Sequence, residues 1–128
     1  MKTLFKNATI LDCSGTEPFS GNVLVNGNRI ESITGAANDV TFDTVIDCTG
    51  KFLMPGLIES HAHLSIDNTD SLTAIGMVPP EENTLIAARN ARYYLDCGIT
   101  SCISAAAAKP RLDVVIRNAI NAGELKGP

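Results

Sequence analysis

The chain carries two histidines, His61 and His63, and no others. They are separated by one residue, in the stretch MPGLIESHAHL that runs from Met54 to Leu64. Side chains two apart on a β-strand point to the same face, so both imidazoles would aim together while Ala62 faces away. Neutral imidazole is a good ligand for zinc and its neighbours, and a pair so placed can hold one divalent ion. Glu59, two residues earlier on the same face, could be a ligand, an acceptor that orients an imidazole, or a solvated carboxylate. A bare HxH is a short motif, and two unrelated histidines, each bonded locally, would produce it as well.

The surrounding elements decide how such a pair could be held. Residues 1 to about 55 read as short strands: Leu4–Leu11, Asn22–Asn26, Arg29–Ile33 and Thr44–Cys48. Asn26-Gly27 between two apolar alternations is a strong hairpin signal, because both turn positions tolerate positive φ. This half reads as a small antiparallel sheet. Pro55-Gly56 ends it. Leu57–Leu64 reads as a buried strand, and a long loop follows from His63 to Pro79. Pro79–Asp96 has a helical period. Prolines and Glu81 and Glu82 mark its start, Leu85, Ala88, Ala91 and Leu95 form its stripe with Ala87 and Tyr94 widening it, and Gly98 serves as its C-terminal cap. Ile99–Ser104 is a second short strand. Pro110 can open a second helix with Leu112, Val115, Ile116 and Ala119 on one face, and Gly123 stops it. Strand, helix, strand, helix implies parallel βα units, where chemistry collects at the C-terminal ends of strands.

The composition is that of a globular chain: 128 residues, 45% hydrophobic, 19% charged, net charge −4. The scattered basic residues argue against a nucleic-acid partner. No apolar segment reaches the ~20 residues of a membrane span, and the N-terminus lacks the apolar core of a signal peptide. Cys13, Cys48, Cys97 and Cys102 form no CxxC pair, which fits reduced, mostly buried thiols in a cytoplasmic protein. Asp67, Asp70, Glu81 and Glu82 could reach a site from the loop after the strand, though loop and helix-start acids are common. Ser60, Ser65 and Ser71 have no base nearby in the sequence, so a serine triad is not supported. Ala105–Ala108 reads as a tight connection of small residues.

The flanks of the histidine pair add a family likeness. PGLIESHAH resembles the PG-x-I-D-x-HxH signature of the metal-dependent amidohydrolase superfamily. NVLVNGNRIESI and TVIDCTGKFLMPG resemble that family's N-terminal β-domain and its lead into the barrel. DCGITSCIS resembles its second barrel strand. DVVIRNAINAGELKGP is similar to a helix of the imidazolonepropionase and Xaa-Pro dipeptidase branch. The resemblance implies an α/β fold: a small β-sandwich-like domain over residues 1–56, then, over 57–128, the first two βα units of a (β/α)8 TIM barrel that is incomplete in this chain. It implies that His61 and His63 bind one or two divalent metals, zinc by default, with cobalt, manganese or iron open. Glu59 is a candidate partner behind the ligands, although the family usually has aspartate there.

Family members draw further ligands and a proton-shuttling aspartate from later strands, so no catalytic residue is expected within this segment. The implied activity is hydrolysis of C–N bonds in amides, cyclic amides, ureas or carbamates by a metal-activated water. A barrel takes ~250 residues, so these residues read as an N-terminal segment, inactive alone. Its partners would be the remainder of the hydrolase, a small amide-type substrate and, in the complete enzyme, further copies of itself. The alternatives are a non-catalytic module that binds a metal or a partner, and a small α/β binding domain with structural histidines.

Overall fold

The computed structural model describes residues 1–34, 41–68 and 71–128, in two compact units, Met1–Pro55 and Gly56–Pro128. The first is one five-stranded sheet built from β1 (Lys2–Ile10), β2 (Phe19–Asn26), β3 (Arg29–Thr34), β4 (Thr44–Asp47) and β5 (Phe52–Leu53). β1, β2 and β3 form an antiparallel meander, and Gly27 takes φ 61° in the Asn26-Gly27 turn. β4 and β5 both pair with β1 in parallel. The sheet is therefore mixed, where the strand pattern alone suggested an antiparallel one. Alternation reports which face is buried but carries no information on strand direction. β4 lies along the edge of β1 that β2 leaves open.

Asn7 breaks β1 into two pairing segments. It sits at φ 61°, a conformation asparagine tolerates, where the register with β2 shifts. Its N–H donates to Asn22 Oδ1 at 2.9 Å and its Nδ2 to Asp47 Oδ1 at 3.1 Å. Asp47 also accepts from Thr49 N–H and Thr49 Oγ1, closing the turn that links β4 to β5. Ala8, Ile10, Val23 and Cys48 are buried on one face, packed by Phe5, Val25 and Leu53. That face also carries an open apolar groove of about 240 Å³ that extends to Ile30 and Ile33.

The second unit contains β6 (Leu57–Ala62), α1 (Leu72–Met77), α2 (Pro80–Asp96), β7 (Ile99–Ser104) and α3 (Leu112–Asn121). β6 and β7 are parallel, as a crossover through α2 requires. α2 starts on Pro80 with Glu81 and Glu82 in its first turn and ends at Gly98, φ 84°. α3 closes with Gly123 N–H donating to Ile120 O and Glu124 N–H to Ala119 O, the paired bonds of a Schellman cap. Its core is Leu64, Ala87, Ala91, Leu112 and Ile116, with Tyr94, Cys102 and Ile120 against it. Ala87 and Ala91, one turn apart, let α2 lie close to its neighbours.

Four expectations are corrected, three in this unit and one, on the cysteines, that spans both. The stretch after His63 is not all loop: Ser71 Oγ accepts from Ala74 N–H and caps α1. The buried face of α2 runs through Asn83, Ala87 and Ala91, and Leu85 is 73% exposed. A stripe counted on apolar residues alone includes Leu85 and leaves out the buried asparagine. α3 begins at Leu112 after Arg111 at φ 61°, not at Pro110, and Val115 is exposed. Cys13 and Cys97 are exposed; Cys48 is buried and Cys102 half-buried. Among the described residues, no helix is long and apolar enough to cross a membrane.

Candidate functional site

His61 is the penultimate residue of β6 and His63 follows its last residue. Ala62 between them is fully buried, and its carbonyl accepts from Ala105 N–H at 2.9 Å. The two imidazoles lie edge to face, with centroids 5.0 Å apart and planes at 75°. His63 Nδ1 is 3.3 Å from Ala106 O. A carbonyl can only accept, so this contact puts the proton on Nδ1 and leaves the lone pair of Nε2 available.

Glu59 turns along its own strand. Its Oε1 accepts from the backbone N–H of His61 at 2.9 Å, and the bond is to the backbone rather than to the ring. The carboxylate therefore fixes the main chain at His61. It also sits near Cys102, whose thiol is pushed up by burial and, secondarily, by the Glu59 charge.

Behind His63 the chain turns sharply. Ile66 N–H donates to His63 O at 3.1 Å, with Leu64 and Ser65 at the centre of the turn. Both central carbonyls accept from α2: Leu64 O from Asn90 Nδ2 and Ser65 O from Asn83 Nδ2, each at 2.8 Å. Ser65 Oγ accepts from Ala108 N–H at 2.8 Å. Asp67 is gripped by Arg89 through both oxygens at 2.7 and 2.8 Å, and Asn90 adds a longer bond. The Arg89 hydrogen bonds hold the Asp67 carboxyl below the usual aspartate range.

Of the other sequence candidates, Glu81 and Glu82 are exposed in the first turn of α2, Ser60 is exposed on β6, and Asp70 lies outside the described residues. Ser65 and Ser71 serve the turn and the α1 cap. Among the described residues, no group of three or more His, Cys, Asp and Glu comes together to hold a metal. Asn83, Asn90 and Arg89 were missed as contributors to this loop. Asn83 and Asn90 lie seven residues apart, two helical turns and hence one face, which is the signal that could have found them.

The second unit thus carries two histidines at the C-terminal end of the first strand of a parallel pair. No family model matches the chain. A 5'-deoxyadenosine deaminase from Methanothermobacter thermautotrophicus is 43% identical over 63 residues, 49% of this chain and 14% of that protein. A solved amidohydrolase superposes with TM-score 0.87 at 26% identity, over 100% of this chain and 30% of that one. A prolidase complexed with N-methylphosphonate-L-proline superposes with TM-score 0.85 at 25% identity, again over 100% of this chain and 30% of that one. These matches make the chain similar to the N-terminal segment of amidohydrolase superfamily members. It spans 14% of the length of the curated deaminase and about a third of the solved chains it matches.

Proposed function

We propose that this chain forms the opening part of a metal-dependent hydrolase of C–N bonds in amide, cyclic amide, urea or carbamate substrates. His61 and His63 would be its first two metal ligands. The observation that carries this reading is the ring separation. With metal–nitrogen bonds of about 2.0–2.1 Å, two imidazoles on one tetrahedral ion have centroids about 5 Å apart, and here they are 5.0 Å apart. The donor set therefore fits a divalent ion, zinc first, with cobalt, manganese or iron equally served by imidazole. When bound, such an ion supplies Lewis acidity and lowers the pKa of a water.

The chain's own residues do the holding. Ala106 O sets the His63 tautomer, and Glu59 fixes the backbone at His61. The superfamily's deaminase and prolidase members support the C–N bond class. Residues 57–128 would be the first two βα units of a (β/α)8 barrel, and residues 1–56 part of a β-sandwich. Parallel strands are normally covered on both faces, yet Ile58 on β6 is 71% exposed and Ile103 on β7 is 63% exposed. Further strands and helices would cover them and bring the remaining ligands.

The test is elemental analysis and a cobalt titration of the chain purified without chelator, beside His61→Ala and His63→Ala. Binding that both substitutions weaken supports the reading, and binding indifferent to them overturns it. The chain alone is expected to turn over no amide or carbamate substrate when zinc or cobalt is added. Robust turnover would mean that the ligands are complete within these residues.

A further inference from the structure

The carbonyls at the centre of the His63 turn are each tied to an asparagine of α2, and the residues beyond the turn are tied to the same helix. Asn90 Nδ2 holds Leu64 O and Asn83 Nδ2 holds Ser65 O. Arg89 and Asn90 hold Asp67, two residues further on. Asn83 is only 1% exposed, and among the described residues its Oδ1 has no partner. A leucine of similar size would fill that space with no buried acceptor left over. Packing alone does not account for the amide, but the carbonyl it reaches does.

We infer that Asn83 and Asn90 are positioning residues for His63: they lock the turn that follows it and so hold its ring against Ala106 O. This inference rests on the metal-site reading for its purpose, but not for its geometry. The turn has His63 O as its first acceptor and Ile66 N–H as its closing donor. Rotating either central peptide would move the His63 backbone and carry its Nδ1 away from the Ala106 carbonyl. Ser65 Oγ on Ala108 N–H ties the same turn to the loop that contains Ala106. The helix, the turn and the post-β7 loop therefore meet at one imidazole.

The test reads the histidine rings directly, without metal. In the nitrogen-labelled chain, long-range proton–nitrogen NMR should show His63 as a single tautomer protonated at Nδ1. In Asn90→Ala, His63 should become a mixture of tautomers while His61 is unchanged, and cobalt affinity should fall by roughly tenfold, the scale of lost support behind a metal ligand. Leu85→Ala, an exposed change on the same helix, should alter neither. Asn83→Ala should act as Asn90→Ala does, and if its buried site makes it misfold, Asn83→Ser and the half-buried Asn90 carry the test. A folded Asn90→Ala with an unaltered His63 ring overturns the inference. A wild-type chain that binds no cobalt overturns the metal reading instead, and the metal-free ring spectra still judge the asparagines.

Discussion

His63 Nδ1 lies 3.3 Å from the carbonyl oxygen of Ala106, 43 residues further along the chain. The ring after the first strand is thus oriented by the main chain after the second. Side-chain changes at Ala106 should be tolerated as long as the carbonyl stays in place. Deleting one residue from Ala105–Ala108 should free the ring. The expected result is a loss of divalent-metal affinity of about 10-fold or more, with the far-ultraviolet circular dichroism unchanged. Cobalt titration of the deletion variant checks this.

Gly56 makes a second prediction. A Cβ at this position would collide with the Thr100 side chain on β7, including its Cβ at 2.6 Å. Gly56→Ala should cost about 1–3 kcal/mol, the range of overpacking, measured as a lowered urea midpoint. Thr100→Ala should not rescue it, because the Cβ of residue 100 would remain in the way. Thr100→Gly should restore part of the loss.

Ile116 anchors the second unit at 1% exposure among Leu64, Ala87, Ala91 and Leu112. Ile116→Ala should destabilise by about 2–5 kcal/mol. Val115→Ala, next to it but on the exposed side, should fall within about 0.5 kcal/mol of wild type. Thermal melts of the two variants give the contrast.

Acid should weaken the Asp67–Arg89 link. The folded-state carboxyl titrates below its ordinary value of 3.8, chiefly through the Arg89 hydrogen bonds. Its stabilisation is therefore complete above that ordinary value and is lost as pH falls through the lowered one. Both side chains are roughly half exposed, so the contribution should stay within about 1 kcal/mol. Arg89→Gln should be slightly less stable than wild type at pH 7, and the gap should close once Asp67 is protonated. Paired denaturation curves at the two pH values would show it.

Most of the elements were legible because their signals are local. Asn26-Gly27 marks a turn, Gly98 and Gly123 end helices, and alternation marks β1 to β3. The strand–helix–strand order also implied the parallel β6–β7 pair, since a hairpin cannot join parallel neighbours. The mixed sheet was not legible, because alternation within β4 marks a face and says nothing of direction. At the candidate site, the proximity of the rings followed from strand geometry. The partners of the turn did not. Asn83 and Asn90 act through carbonyls that every residue possesses, so nothing at Leu64 or Ser65 announces them. Glu59 shows the same limit: its place on the histidine face was readable, but its bond to the His61 N–H was not.

The break at Asn7 bears on how the first sheet finds its alignment. On one edge of β1, Thr3–Lys6 take β4 and Thr9–Ile10 take β5, with the four residues Cys48–Lys51 spanning the gap opposite Asn7 and Ala8. A uniform strand would let an incoming segment slide by one position, and such a slip would turn the buried Cys48 outward. With Asn7 bonded to Asp47 on one side and to Asn22 on the other, a slip of β4 breaks the first bond and a slip of β2 the second. The asparagine therefore acts as a register pin: one side chain and its N–H mark the single alignment in which β2 and β4 both meet β1.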